Sequence, residues 1–185
     1  MKSMTALRAR PRKTVEDYMK LPDDVRVELI DGEFFMSPSP RERHQSIVLR
    51  LARLLADFVE KGRRGMVYIA PFDVHLPSGD VVQPDVIYVS QARSGIIQDW
   101  IRGVPDLLIE VLSPETPERD RIVKRDRYAQ NGVREYWIVD PMAPTVEIFR
   151  SRRGRSLEAG YFEKGDPIVS AVLPGFRPRV GELAE

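Results

Sequence analysis

The segment PDLLIEVLSP, residues 105–114, places a carboxylate inside a run of apolar residues. Leu107 to Leu112 has the composition of a buried β-strand except at Glu110. Burial of a carboxylate is unfavourable unless another group pairs with it. The segment therefore predicts a site at Glu110, and the chain offers Asp85 and Lys124 as further members of it.

A second acid can reach Glu110 from a neighbouring strand. Asp85 opens the strand candidate Asp85 to Val89, and Glu110 lies near the end of its own strand. If the two strands are antiparallel neighbours, the start of the first lies beside the end of the second. The two carboxylates then meet at one edge of the sheet, and Asp106 lies at the opposite end.

A lysine can reach the same edge from the helix that follows. About 10 Å of extended chain separates Glu110 from the strand end at Ser113, and a similar helix rise separates the helix start from Lys124. A helix that folds back along the sheet brings Lys124 level with Glu110. Asp120, Lys124 and Tyr128 share one helical face because they are spaced at four-residue steps.

Two carboxylates and a lysine at a sheet edge suit metal-dependent hydrolysis of a phosphodiester. Mg²⁺ binds a few carboxylates together with waters and phosphate oxygens, polarises the phosphodiester and helps to generate hydroxide. A lysine can orient or deprotonate the attacking water, or stabilise developing charge. We predict Asp85 and Glu110 as ligands of Mg²⁺, with Mn²⁺ as a substitute, and Lys124 as the third catalytic residue.

The hydrophobic pattern predicts the elements that position these residues. Val27 to Met36 has the pattern of a β-hairpin with an Asp-Gly turn. Helical spacing of apolar residues predicts a helix from Glu42 to Glu60 and a second from Pro117, with Thr116 as its cap, to about Asn131. The predicted strands are 66–75, with a bend at Pro71, followed by 85–89, 107–112, 135–139 and 146–149.

This order of elements predicts an α/β sandwich with a mixed sheet. The first three strands can form an antiparallel meander, and the second helix returns the chain so that EYWIV runs parallel to a meander strand. Residues 1–13 have the composition of a flexible basic arm, and residues 14–185 form one predicted domain.

His44 and Glu33 are possible additional site residues. His44 lies on the inward stripe of the first helix with Ile47 and Leu51, where a structural histidine is as consistent with the pattern as a site residue. Glu33 shares the polar face of the hairpin with Glu28. Either glutamate could extend the acidic site, and a solvated hairpin edge is an equal alternative.

Ordered motifs along the chain resemble a bacterial family of restriction endonuclease-like proteins in the PD-(D/E)xK nuclease superfamily. They are ELIDGE, MSPSP, PDV, IEVLSP and GVREYW, and the resemblance covers roughly residues 15 to 180. The resemblance implies a restriction-endonuclease-like sandwich, in which helices flank a mixed central sheet and a β-hairpin lies at the N-terminus. It also implies Mg²⁺-dependent cleavage of DNA. The simple superfamily motif has its lysine two residues after the second acid, where this chain has Leu112. The family pattern moves that role to Lys124.

Composition excludes several other classes of protein. The net charge of +1 gives no global electrostatic case for nucleic-acid binding. The chain has no cysteine, so disulfides and thiolate zinc sites are excluded, as suits a cytoplasmic protein. No apolar run approaches membrane-spanning length, so we predict no membrane partner. DNA is the expected partner, and a homodimer would supply the two sites needed to cut two strands.

Two alternatives remain open at the level of sequence. The fold could serve as a non-catalytic module that binds nucleic acid or protein, with the acids in structural roles. The site could also hydrolyse small phosphate compounds, which activity on nucleotides but not on polymers would indicate.

Overall fold

The structure, a computed structural model, describes residues 11–22, 24–114 and 117–184. Most of the predicted basic arm, residues 1–10, and the predicted cap Thr116 lie outside the described residues. The described end of the arm contacts the hairpin turn. Arg12 forms an ion pair of 3.2 Å with Asp31, and the Lys13 amide donates a hydrogen bond of 2.8 Å to the Gly32 carbonyl.

The predicted hairpin is present and extends into a larger sheet. Strands β1 (Val27–Ile30) and β2 (Glu33–Met36) pair with Leu29 opposite Phe34, as the turn predicts. The short helix α1 (Val15–Tyr18) precedes them. The strand order of this five-stranded sheet is β2-β1-β5-β4-β7. Its other strands are β4 (Val74–His75), β5 (Val81–Val82) and β7 (Ile101–Arg102).

A six-stranded mixed sheet forms the centre of the fold, with the order β11-β10-β9-β8-β6-β3. Its strands are β3 (Gly65–Ile69), β6 (Val86–Ser90), β8 (Leu107–Val111), β9 (Glu135–Asp140), β10 (Thr145–Arg152) and β11 (Arg155–Glu163). Strands β3, β6 and β8 are antiparallel, and β8 and β9 are parallel. The predicted meander and crossover are therefore confirmed, and so is the mixed α/β fold.

One strand prediction is wrong, and one strand of the six-stranded sheet was not predicted. Residues 66–75 do not form one bent strand, because β3 belongs to the six-stranded sheet and β4 to the five-stranded sheet. The predicted hairpin thus belongs to a second, smaller sheet beside the mixed central sheet. Strand β11 was not predicted, and most of its residues are exposed.

Helices and the smaller sheet cover opposite faces of the six-stranded sheet. Helix α2 (Glu42–Lys61) packs with the C-terminal residues Leu173 and Phe176 on the face that carries Leu107, Ile109 and Val111. The other face carries Leu108 and Leu112 and packs against strands β1, β4 and β5 and helix α3 (Arg125–Asn131). Alternation along β8 therefore turns Glu110 toward this second face, between the two sheets.

A π-helical turn, Arg119–Lys124, leads directly into α3. Gly132 ends α3 in the left-handed conformation, with φ of 83°. A 3₁₀ helix, Gln91–Ile96, occupies the link before β7, and helix α4 (Val180–Ala184) closes the described chain. None of the helices in these described ranges has the length and apolar character needed to cross a membrane.

Candidate active site

The fold brings Asp85, Glu110 and Lys124 to one cavity of about 120 Å³. Val86 pairs with Ile109 across β6 and β8, so Asp85 lies beside Glu110. The Asp85 Oδ2 atom accepts a hydrogen bond of 2.8 Å from the Val111 amide. Lys124 Nζ lies 2.8 Å from Glu110 Oε1. We call this space the acid cavity, after its carboxylates at positions 28, 85, 110 and 120.

Lys124 is buried among three carboxylates. Its Nζ lies 2.8 Å from both Glu110 Oε1 and Glu28 Oε1, and 3.6 Å from Asp120 Oδ1. Burial by itself lowers the pKa of Lys124, but the nearby charges of Glu110, Glu28 and Asp120 outweigh it and raise that pKa well above its usual value. Lys124 is therefore a protonated cation in this site.

Glu110 has more negatively charged than positively charged neighbours. Burial raises the pKa of Glu110 well above its usual value, Lys124 opposes that rise, and the Asp85 charge adds to it. The Tyr128 hydroxyl donates a hydrogen bond of 3.1 Å to Glu110 Oε1. Burial also raises the pKa of Asp120, although Lys124 lowers it. The three buried carboxylates around Lys124 thus outnumber that one buried cation, and a further cation beside them would stabilise them.

Glu28, rather than Glu33, is the hairpin acid in the cavity. The Glu28 Oε1 atom accepts a hydrogen bond of 2.9 Å from the backbone N–H of Gln83. The Glu28 Oε2 atom is buried with no partner among the described residues. Glu33 is exposed and does not line the cavity. Both side chains project from the same face of the hairpin, but Glu28 lies on the inner strand β1 and Glu33 on the edge strand β2. Neighbouring elements bury the inner strand more completely than the edge strand.

His44 lies against Asp85. Its Nε2 is 3.1 Å from Asp85 Oδ2, and its Nδ1 is buried with no partner among the described residues. Burial lowers the pKa of His44, but the hydrogen bond and charge of Asp85 outweigh it and raise that pKa above its usual value. Because α2 begins at Glu42, His44 projects from its first turn toward the start of β6. His44 can therefore orient the Asp85 carboxylate.

Arginines lie at the outer part of the cavity, above the buried acids. Arg26 is exposed and lines the cavity with Arg119 and the MSPSP loop. Arg119 Nη1 donates a hydrogen bond of 3.2 Å to the Met36 carbonyl, and its Nε is buried without a partner among the described residues. Neither arginine forms an ion pair with a described carboxylate. A phosphate entering the cavity would therefore meet guanidinium groups that form no ion pair with a carboxylate of the described residues.

Sequence reasoning did not assign a role to Arg119. Residues 119–127 read as a basic run, and such runs are ordinarily solvated. The only signal in the sequence for a role of Arg119 is its position, directly before Asp120 on the helix that carries Lys124. Its orientation into the cavity depends on the π-helical turn, which no sequence pattern predicted.

The donor set fits a hard divalent cation that keeps part of its water shell. Among the described residues, no three His, Cys, Asp or Glu side chains form a metal-binding cluster. Mg²⁺ commonly takes one or two carboxylates and completes its shell with water and phosphate oxygens. Asp85 and Glu110 supply such a pair, and the unpaired Glu28 Oε2 adds an oxygen in the same cavity.

Comparisons with known proteins show the family and the fold of the chain. The model of the Uma2 family, described as "Putative restriction endonuclease", matches residues 15–183. The fold is similar to the crystal structure of "a putative nuclease belonging to DUF820" from Anabaena variabilis, with a TM-score of 0.76 and 20% identity. That likeness covers 92% of this chain and 96% of the other. The predicted nuclease-like fold is therefore confirmed.

A further relative shares a segment of the chain. "Gas vesicle ATPase GvpN" from Haloferax mediterranei is 31% identical over 108 residues, which is 54% of this chain. The match spans 29% of that protein's length. This similarity is limited to the shared segment.

Proposed function

We propose, since the chain belongs to the Uma2 family of restriction endonuclease-like proteins, that it is a divalent-metal-dependent endonuclease acting on DNA. The observation that carries the proposal is the meeting of Asp85, Glu110 and Lys124 in one cavity with arginines at its outer part. Buried acids supply oxygen ligands, and the arginines supply contacts to a phosphate backbone.

Asp85 and Glu110 would hold Mg²⁺, and Mn²⁺ would substitute for it. The excess of buried carboxylates over the one buried cation, Lys124, supports this assignment, because a bound divalent cation would offset it. The ion supplies Lewis-acid polarisation of a phosphate oxygen and a lower pKa for a bound water. His44 holds the Asp85 carboxylate through its contact of 3.1 Å, so we assign it a positioning role.

Lys124 acts as a cation in the proposed reaction. Its raised pKa keeps it protonated, which favours stabilisation of negative charge on the phosphate over removal of a proton from water. Tyr128 and Asp120 hold this arrangement from the same helix, through contacts with Glu110 and Lys124 respectively.

Arg26 and Arg119 would bind the phosphates of the substrate strand. Their planar guanidinium groups match phosphate oxygens in geometry and charge. Cutting both strands of a duplex would need two copies of the site, and we propose a homodimer for that case. The cytoplasmic location stays a prediction from composition.

One observation favours the alternative of a non-catalytic binding module. The side chains of Lys124 and Glu110 are only 4% and 6% exposed, and they already satisfy one another. Such a buried pair can hold three elements together without any chemistry. The two functions differ in whether a metal ion binds and whether a phosphodiester is cut.

A nuclease assay tests the proposal directly. Plasmid, linear, single-stranded and branched DNA would be incubated with Mg²⁺ or Mn²⁺ and the wild-type protein, beside Asp85→Asn, Glu110→Gln and Lys124→Met. We expect metal-dependent cleavage that each substitution lowers by at least about a hundredfold. Asp57→Asn, at an exposed carboxylate on α2, is the matched control and should cleave like the wild type.

Thermal unfolding with and without Mg²⁺ provides a second readout. A working site gains stability from the ion by mass action, and Glu110→Gln should lose that gain. Cleavage that survives Glu110→Gln would reject the assigned site. Absence of both cleavage and metal-dependent stabilisation in the wild type would favour the binding module.

A further inference from the structure

Unpaired buried polar atoms point to two places in the molecule. In most proteins, nearly all buried polar side-chain atoms have hydrogen-bond partners. Five such atoms lack one among the described residues. Three belong to Glu28, His44 and Arg119, which line the acid cavity. The other two are His75 Nε2 and Trp100 Nε1, which belong to a different part of the fold.

The second place is a cavity of about 230 Å³. Its polar lining comprises Tyr18, Asp73, Gln83 and Trp100, and its apolar lining comes from the segment after α1. Trp100 stacks on His75, with ring centroids 5.4 Å apart and planes inclined by 21°. Gln83 lines both this cavity and the acid cavity. The two cavities are therefore neighbours with a shared wall.

Asp73 presents an acceptor in this second cavity. Its Oδ1 accepts hydrogen bonds from the Tyr18 hydroxyl at 3.1 Å and from Gln83 Nε2 at 2.8 Å. Its Oδ2 has no hydrogen bond from the described residues, and His75 Nε2 is 3.9 Å from it. The residues that line this cavity thus include an acceptor on Asp73 and a donor, the Trp100 N–H, which has no acceptor among the described residues.

The charged groups around the second cavity restrict the class of ligand that it can bind. The Asp73 carboxylate repels a phosphate or another anion. A simple cation cannot accept a hydrogen bond from Trp100, and the Arg102 guanidinium already lies 5.2 Å from the centroid of the Trp100 ring. Burial lowers the pKa of His75, so this ring adds no positive charge near neutral pH. The complementary ligand is an uncharged ring that has both donors and acceptors on its edge.

We propose that the second cavity binds one unpaired nucleobase of the substrate strand, and we call it the base pocket. This inference rests on the proposed function, because Gln83 places the pocket beside the phosphodiester site. A volume of about 230 Å³ lies below that of pockets for drug-sized ligands and suits a single ring system. The backbone phosphate would occupy the acid cavity, while the adjacent base leaves its stack and enters the base pocket.

Binding of free deoxynucleosides tests the base pocket without requiring catalysis. Each of the four deoxynucleosides would be titrated into the full chain by calorimetry, without divalent metal, and Trp fluorescence would be followed in parallel. We expect saturable binding of at least one at millimolar concentration, with a change in Trp fluorescence. Asp73→Asn keeps the acceptor for Tyr18 and Gln83 and should weaken binding roughly tenfold or more.

Two further variants distinguish a loss of binding in the base pocket from unspecific effects of a substitution on the protein. Trp100→Phe retains a ring against His75 but removes the N–H, and it should weaken binding measured by calorimetry. Asp57→Asn, with an exposed carboxylate on α2, should bind like the wild type. Thermal unfolding of each variant would show that it folds.

The proposal is overturned if no deoxynucleoside binds, or if Asp73→Asn and Trp100→Phe both bind like the wild type. If tetramethylammonium binds saturably and no deoxynucleoside binds, the proposal is also overturned, and the cavity is a cation pocket instead. Cleavage of DNA without nucleoside binding would reject the base pocket alone. Nucleoside binding without cleavage would reject the proposed nuclease activity and leave the pocket standing.

Discussion

Lys124 shows how much a single side chain decides in this site. One ammonium group lies within 3.6 Å of carboxylate oxygens from Glu28, Glu110 and Asp120, which come from three different elements. Removal of that cation would leave buried carboxylates without compensation, which costs more than the pairing itself gains. The residue therefore has a structural role as well as the proposed catalytic one.

Lys124→Met should lower the free energy of unfolding by about 3 kcal/mol, because it leaves the buried acids unpaired while keeping an unbranched side chain. Urea denaturation at neutral pH would measure the change. Lys61→Met, at an exposed lysine at the end of α2, should stay within about 0.5 kcal/mol of the wild type. Equal stabilities for the two variants would contradict the buried ion network.

At the scale of elements, the segment from the π-helical turn to Gly132 determines where Lys124 lies. The turn Arg119–Lys124 and helix α3 carry the chain back from β8 to the parallel strand β9. Gly132 ends α3 with φ of 83°, and the Val133 amide donates a hydrogen bond of 3.0 Å to the Tyr128 carbonyl. A side chain at this position would be strained in the left-handed conformation.

Gly132→Ala should therefore destabilise the protein by about 1 kcal/mol, although open space surrounds the added methyl group. Gly95→Ala is the matched control, since Gly95 also has open space but no positive φ. Thermal or urea unfolding of both variants would give the comparison. A loss of the same size in both would show that backbone conformation is not the cause.

At the scale of the whole molecule, a partly buried ion pair joins the smaller sheet to α3. Arg127 contacts both carboxylate oxygens of Asp80, at 2.7 and 2.8 Å, and the Asp31 amide donates a hydrogen bond of 2.8 Å to Asp80. Burial raises the pKa of Asp80, but the Arg127, Asp31 and Ser78 hydrogen bonds outweigh it and lower that pKa. The hairpin turn, the β4–β5 turn and α3 thus meet at one carboxylate.

This contact predicts a pH dependence of stability. Because the pKa of Asp80 is lower in the folded state, its contribution is present above the unfolded pKa of about 3.9 and is lost as the pH falls through the folded value. Asp80→Asn should cost about 3 kcal/mol at pH 7, and the difference from wild type should shrink below about pH 4.

Urea denaturation across this pH range would measure that dependence. Asp126→Asn serves as control, because its pair with Arg125 is more exposed than the Asp80 pair and should contribute less than about 1 kcal/mol. A difference between Asp80→Asn and the wild type that stays constant with pH would reject the electrostatic explanation.

The sequence by itself predicted the strands that carry or adjoin Glu110 and Asp85, a helix that carries Lys124, and the meeting of these three residues. Local patterns were enough for this, because alternation places Glu110 on one strand face and a right-handed crossover places Lys124 at the same height. The Asp-Gly turn likewise determined the register of the hairpin, with Leu29 opposite Phe34.

Only the tertiary structure decided which residues of a shared face enter the site. Glu28 and Glu33 are equivalent by alternation, and they differ because β1 is covered by neighbouring elements while β2 is an edge strand. The second sheet, the contact of His44 with Asp85, and the cavity beside Trp100 also depend on pieces that are distant in the chain. Local periodicity reports which way a side chain points, but what covers that side chain depends on packing between distant segments.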